Sequence, residues 1–137
     1  MLKTLEALTG KTFSEAVVLQ QRTMSAWVAF IAAFLVAFAV LIGFDIPMAL
    51  VGAGAGGAGG IAFALFTSYF VVGRADDLVV LARSSRWFAR AKEVVQQKRA
   101  PVKADVGSGT VTVEVTLFGE RYLLSKAFAE RFRAIVS

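Results

Sequence analysis

Two uncharged runs separated by a single aspartate constrain this chain more than anything else in it. Ser25 to Phe44 is 20 residues without a charge, Ile46 to Val72 is 27, and Asp45 lies between them. A helix of about 20 apolar residues covers the ~30 Å hydrocarbon core of a bilayer. The eleven Val, Ile, Leu and Phe residues of the first run, at roughly −0.3 to −0.6 kcal/mol each, favour insertion by about 3 to 7 kcal/mol. The second run is apolar at both ends but glycine-rich in the middle, so it is expected to insert as the partner of the first. Gly43-Phe44-Asp45-Ile46-Pro47 supplies the turn, with glycine and proline as breakers.

The middle of the second run, Gly52-Ala53-Gly54-Ala55-Gly56-Gly57-Ala58-Gly59-Gly60, has almost no side chains. Such residues neither favour a helix nor bury apolar surface; inside a membrane their use is to let another backbone come close. On a helix, Gly52, Gly56, Gly60, Ala64 and Ser68 form one row at every fourth place, matched on the first span by Ser25, Ala29, Ala33 and Ala37. Rows at i+4 interdigitate when helices cross tightly. Gly57 and its neighbours widen the small-residue surface beyond one stripe, which predicts a second partner: another copy of this chain or a different membrane protein. Gly54-Ala-Gly56-Gly57-Ala-Gly59, with Asp76 further on, also matches the spacing of a dinucleotide loop. A soluble crossover helix would have a polar face, however, and nothing from Ile46 to Gly73 is charged.

Orientation follows from the basic residues. Lys3, Lys11 and Arg22 precede the first span, the turn has none, and Arg74, Arg83, Arg86, Arg90 and Lys92 follow the second, which predicts both termini on the cytoplasmic side of a bacterial inner membrane. Trp27 and Tyr69 are expected at the same interface. The apolar run starts too far in, and is too long, for a cleaved signal peptide.

Thr12-Phe13-Ser14-Glu15 fits a capping box and predicts a helix running from Thr12 into the first span, preceded by a short amphipathic segment, residues 2–8, on the membrane surface. A helical pattern is expected from Arg74 to about Arg99, with Leu78, Leu81, Phe88 and Val95 on one side. It would present Arg83, Arg86 and Arg90 beside Trp87 to lipid headgroups or a partner. No aromatic or glycine module accompanies these arginines, so nucleic acid is not expected. Pro101 to Val106 can form a strand, Gly107-Ser108-Gly109 a turn, and Thr110 to Phe118 alternates in strand fashion with Val111, Val113, Val115 and Leu117 on one face. Gly119-Glu120 reads as a turn, Arg121–Leu124 as a short strand, and Ser125 as the cap of a last helix whose Phe128, Phe132 and Ile135 share a face.

The chain has no cysteine and no histidine and carries a net charge of +5. This removes disulfide scaffolds, thiolate and imidazole metal sites and histidine-based nucleophilic catalysis. The spans contain no ionisable residue of the kind that marks a transport path. Thr67, Ser68 and Tyr69 form their one polar cluster, and the hydroxyls at 67 and 68 can bond carbonyls one turn back.

The expected fold is a membrane α-helical hairpin with two transmembrane helices, followed by a small cytoplasmic α+β tail. That tail comprises an amphipathic helix, an antiparallel β-hairpin or three-strand meander, and a C-terminal helix. The corresponding segments are 1–24, 25–72 (spans 25–44 and 46–72) and 73–137. The expected function is that of a non-catalytic inner-membrane subunit of a larger assembly, in secretion, conjugation or a phage-related system, with no cofactor or metal. It would contact lipids and other copies or other membrane subunits. A holin-like pore-former and a membrane immunity or exclusion protein are the alternatives.

Overall fold

The computed structural model describes residues 1–21, 24–85 and 90–137. The chain forms two compact units: Arg22–Thr67, and Met1–Gln21 together with Ser68–Ser137.

The first is a helical hairpin of α2 (Met24–Gly43) and α3 (Met48–Phe66). Both helices are long and apolar enough to span a membrane. The turn forms where the breakers predict it. Phe44 and Asp45 donate back to the carbonyls of Leu41 and Ile42, Asp45 takes a left-handed φ of 54°, and the Pro47 carbonyl accepts from Leu50 and Val51 to start α3. The glycine run lies wholly inside α3, so no phosphate-cradling loop exists there. The helix ends at Phe66 rather than Val72, and the Thr67 hydroxyl donates to the Phe63 carbonyl at 2.9 Å, the one-turn-back bond expected of it.

The other unit is built on seven antiparallel strands among the described residues. They are β1 (Glu15–Gln21), β2 (Ser68–Ala75), β3 (Leu78–Ser84), β4 (Ala91–Arg99), β5 (Ala104–Val106), β6 (Thr112–Leu117) and β7 (Glu120–Ser125), in the order β4-β3-β2-β1-β7-β6-β5. Helix α1 (Leu2–Thr9) precedes the sheet; a 3₁₀ turn (Lys126–Phe128) and helix α4 (Ala129–Val136) follow it.

Three expectations are corrected here. The helix predicted from Thr12 is strand β1. Val17 and Leu19 point into the main core while Ala16 and Val18 pack on the other side, and pairing with β2 and β7 overrides a four-residue capping motif. The helix predicted over 74–99 is instead part of β2, then β3 and β4, joined after β2 by an Asp76-Asp77 turn in which Asp76 has φ 52°. Val79, Val80, Leu81 and Ala82 are all buried, two toward each face. A strand covered on both sides loses the alternation that would have revealed it. Finally, the end of the long uncharged run is not span: Ser68 to Val72 belongs to β2, with Ser68 opposite Gln21 and Tyr69 opposite both Gln20 and Ser84.

Two helices cover the sheet. On one face α4 drives Phe132 and Ile135, both without solvent exposure, among Val17, Leu19, Val72, Leu81, Val115 and Leu117. Phe128, predicted to join them, is 43% exposed. On the other face α1 buries Leu5 against Phe13, Val71, Val80 and Ala82, so residues 2–8 are part of this core rather than a free surface segment. Gly73 makes this possible, since a Cβ there would lie 2.8 Å from the Phe13 ring and 3.0 Å from Leu5. Gly10, in the left-handed conformation, closes α1 by donating to the Glu6 carbonyl. The C-terminal pattern is close to expectation, with β6 and β7 in register from Thr112↔Ser125 to Leu117↔Glu120. Ser125 makes no side-chain cap, and the α-helix starts only at Ala129.

Candidate helix-packing site

The two faces of α3 differ sharply. Val51, Ala55 and Gly59, one residue out of phase with the predicted row, are its buried positions. A Cβ at Gly59 would meet the Phe30 ring at 2.9 Å and the Phe30 carbonyl oxygen at 3.2 Å, and one at Gly54 would meet Leu41 at 2.8 Å. A side-chain tip can swing away; a backbone oxygen cannot. Gly59 is therefore where the helices come closest, with Phe30 seated in the space a side chain would need.

Aromatic rings line this contact. Phe30 stacks on Phe34 with centroids 6.2 Å apart, Phe34 on Phe38 at 5.9 Å, and Trp27 meets Phe63 edge-on at 5.1 Å. Ring pairs of this geometry are worth about 0.5–1.5 kcal/mol each beyond area burial. The row Ala26, Phe30, Phe34 and Phe38 has the same i+4 spacing as the row Ala29, Ala33 and Ala37 beside it, so spacing alone does not distinguish them. Those three alanines are half-buried, at the margin of the contact. Trp27, predicted as an interface anchor, packs against Phe63 on the neighbouring helix.

The predicted glycine row lies about 100° round α3 from the buried row, facing away from the contact with α2. A Cβ at Gly52, Gly56, Gly57 or Gly60 would find no atom within 4 Å. Ala64 is half-buried, and Ser68 lies on β2, outside the helix. Large apolar side chains flank this open surface, Leu50 at 62% and Ile61 at 66% exposed, and α2 is similar, with Val36 at 65%. A core helix of a soluble protein would bury such side chains.

The basic residues do not form the predicted helical face. Arg83 is exposed on β3 opposite Glu93 of β4, Arg90 is exposed just before β4, and Arg86 and Trp87 lie outside the described residues. The Ser85 amide donates to the Arg90 carbonyl at 2.8 Å. Among the described residues no group of three His, Cys, Asp or Glu side chains is placed to hold a metal ion. Among the described residues the one ionisable group with a clear perturbation is Tyr122. Burial pushes its phenol above the ordinary value of 10.0 and the Glu120 carboxylate adds to the shift. Its ring packs edge-on against Phe70 at 5.4 Å, a core role.

No protein-family model matches this chain, and neither a curated protein nor a solved structure does. What the architecture defines is a class: two helices long and apolar enough to span a membrane, compatible with a membrane location, followed by an antiparallel sheet and a C-terminal helix.

Proposed function

We propose that this chain is a non-catalytic integral membrane protein that serves as a subunit of a larger membrane assembly and packs there through the open glycine face of α3. The supporting observation is the division of labour between two neighbouring rows of one helix. Val51, Ala55 and Gly59 are used inside the hairpin, while Gly52, Gly56 and Gly60 are not. Each glycine costs up to about 1 kcal/mol relative to alanine in a helix exposed to water, and less in lipid. A second helix laid along the open row offsets this through close backbone approach and Cα–H···O contacts. The partner is another copy or a different membrane subunit.

Membrane insertion is supported by the exposed apolar surface around both helices, which lipid accommodates and water does not. Helix α2 also makes a poor signal sequence. Cleavage after it would remove β1, which lies between β2 and β7 in the sheet. The basic residues bordering the hairpin in sequence, and the absence of any in its turn, support a reading in which the sheet lies on the cytoplasmic side of an inner membrane.

The test is the oligomeric state of the full chain in mild detergent and in native membranes. The expected result is a complex larger than one chain that Gly56→Leu and Gly60→Leu dismantle while both variants still insert. A wild-type chain that is monomeric and partnerless in both settings contradicts the proposal.

A further inference from the structure

β4 and β5 stand at opposite edges of the seven-stranded sheet, yet only Ala100, Pro101, Val102 and Lys103 separate them in sequence. Six strand spacings of about 4.8 Å would put the edges of a flat sheet roughly 29 Å apart, whereas the chain from Arg99 to Ala104 reaches about 18 Å at most. The sheet therefore curls until its two edges face each other across a seam. Lys98 of β4 bridges it, with its ammonium 5.6 Å from the ring centre of Phe118 in the β6–β7 turn.

A cavity of about 400 Å³ opens along this seam, lined by Lys98 and Arg99 of β4, Lys103 of the connection, Asp105 of β5, Thr116 of β6 and Phe118. Asp105 and Thr116 are register partners. The side chains of Lys103 and Asp105 are exposed and make no hydrogen bond or ion pair among the described residues. Arg99 has an exposed contact with Asp77 at 3.4 Å, weak enough for another anion to displace. Phe118 has φ 55°, a left-handed backbone that a side chain of its size rarely adopts, and with Gly119 at φ 89° it forms the two-residue turn between Leu117 and Glu120. Asparagine or aspartate is the usual residue at that place. Phenylalanine there adds an aromatic ring to the cavity wall instead.

We propose that the seam cavity binds a small soluble phosphate ester that also carries hydroxyl groups, a sugar phosphate or a polyol phosphate. Lys98, Arg99 and Lys103 supply a planar guanidinium and two ammonium groups, the donors that recognise phosphate oxygens. Across the seam from β4, the Asp105 carboxylate accepts hydrogen bonds and the Thr116 hydroxyl both accepts and donates, which suits hydroxyl groups better than a second phosphate. The Phe118 ring offers an apolar surface to the carbon skeleton, and the volume falls within the range of about 300–1,000 Å³ usual for small-molecule sites. Every residue of the site belongs to the sheet unit, so binding is independent of whether α2 and α3 cross a membrane.

The experiment is isothermal titration calorimetry of the full chain in a non-ionic detergent, with glycerol 3-phosphate, ribose 5-phosphate and glucose 6-phosphate as probes and inorganic phosphate as the reference anion. At least one ester is expected to bind about tenfold more tightly than inorganic phosphate. The combined variant Lys98→Gln, Lys103→Gln should weaken that ester by about tenfold or more. The combined variant Asp105→Ala, Thr116→Val should abolish the advantage of the ester over inorganic phosphate. Lys92→Gln and Lys126→Gln, outside the cavity, should change neither affinity. No binding of any ester at millimolar concentration overturns the proposal, as does equal affinity for inorganic phosphate and every ester, or ester binding that survives the loss of Lys98 and Lys103. Binding of phosphatidylglycerol added to the micelles, without binding of a soluble ester, overturns it in favour of a lipid headgroup.

Discussion

Gln21 and Ser68 are paired neighbours across β1 and β2, although the whole helical hairpin lies between them in sequence. In sequence the hairpin is an insertion between two central strands of the sheet.

The contact at Gly59 gives the first prediction. Gly59→Leu forces a side chain into the Phe30 ring and carbonyl, and overpacking of this kind costs about 1–3 kcal/mol. Gly56→Leu, on the open row, is expected to leave the hairpin itself unchanged. Thermal unfolding in detergent, followed by the fluorescence of Trp27 and Trp87, separates the two; equal destabilisation would contradict the assignment of rows.

Much of this hairpin was legible in the sequence, because charge-free length and a Gly-Asp-Pro turn are local signals. Which row of α3 packs inward was not, since rows 51-55-59 and 52-56-60 are both small and the choice is made by Phe30 and Leu41 on the other helix. The strands divide in the same way. β6 has one face toward the core, with Val113, Val115 and Leu117 inward, and its alternation showed from Thr112 on; Val111, expected on the same face, precedes the strand and is 74% exposed. β2 and β3 are covered by α4 on one side and α1 on the other, which erased their period; the Val71-Val72 tail of the apolar run then read as membrane span. β1 was hidden because its partner β2 lies beyond the hairpin, where no local pattern could reveal the pairing.

Phe132 offers a direct probe of the sheet unit. It has no solvent exposure and fills the face between the sheet and α4, so Phe132→Ala is expected to cost about 3–5 kcal/mol. Faster amide exchange across β1, β6 and β7 is the readout, and α3 amides in lipid should be unaffected.

Gly73 tests the docking of α1. A Cβ there meets the Phe13 ring and Leu5, so Gly73→Val should displace α1 and cost about 1–3 kcal/mol. Protease accessibility after Lys3 should rise in this variant and remain low in the wild type.

Tyr122 predicts a pH dependence. Its phenol is held above the ordinary value of 10.0, so the folded state keeps the proton more tightly than the unfolded chain does. The stability this provides is complete below about pH 10 and is lost as pH rises through the raised folded value. Chemical denaturation between neutral and strongly alkaline pH should show this fall, and Tyr122→Phe should remove the part due to Tyr122.

The central claim, that the hairpin crosses a bilayer and leaves the whole sheet on one side, can be tested by single-cysteine labelling, because the chain has no cysteine of its own. Cysteine is placed at Asp45 in the helical turn or at Ser108 between β5 and β6, and intact cells are treated with a membrane-impermeant maleimide. The account predicts that Asp45→Cys is labelled from outside the inner membrane and that Ser108→Cys is labelled only after the cells are lysed. Equal labelling of both positions in intact cells, or of neither, would contradict it.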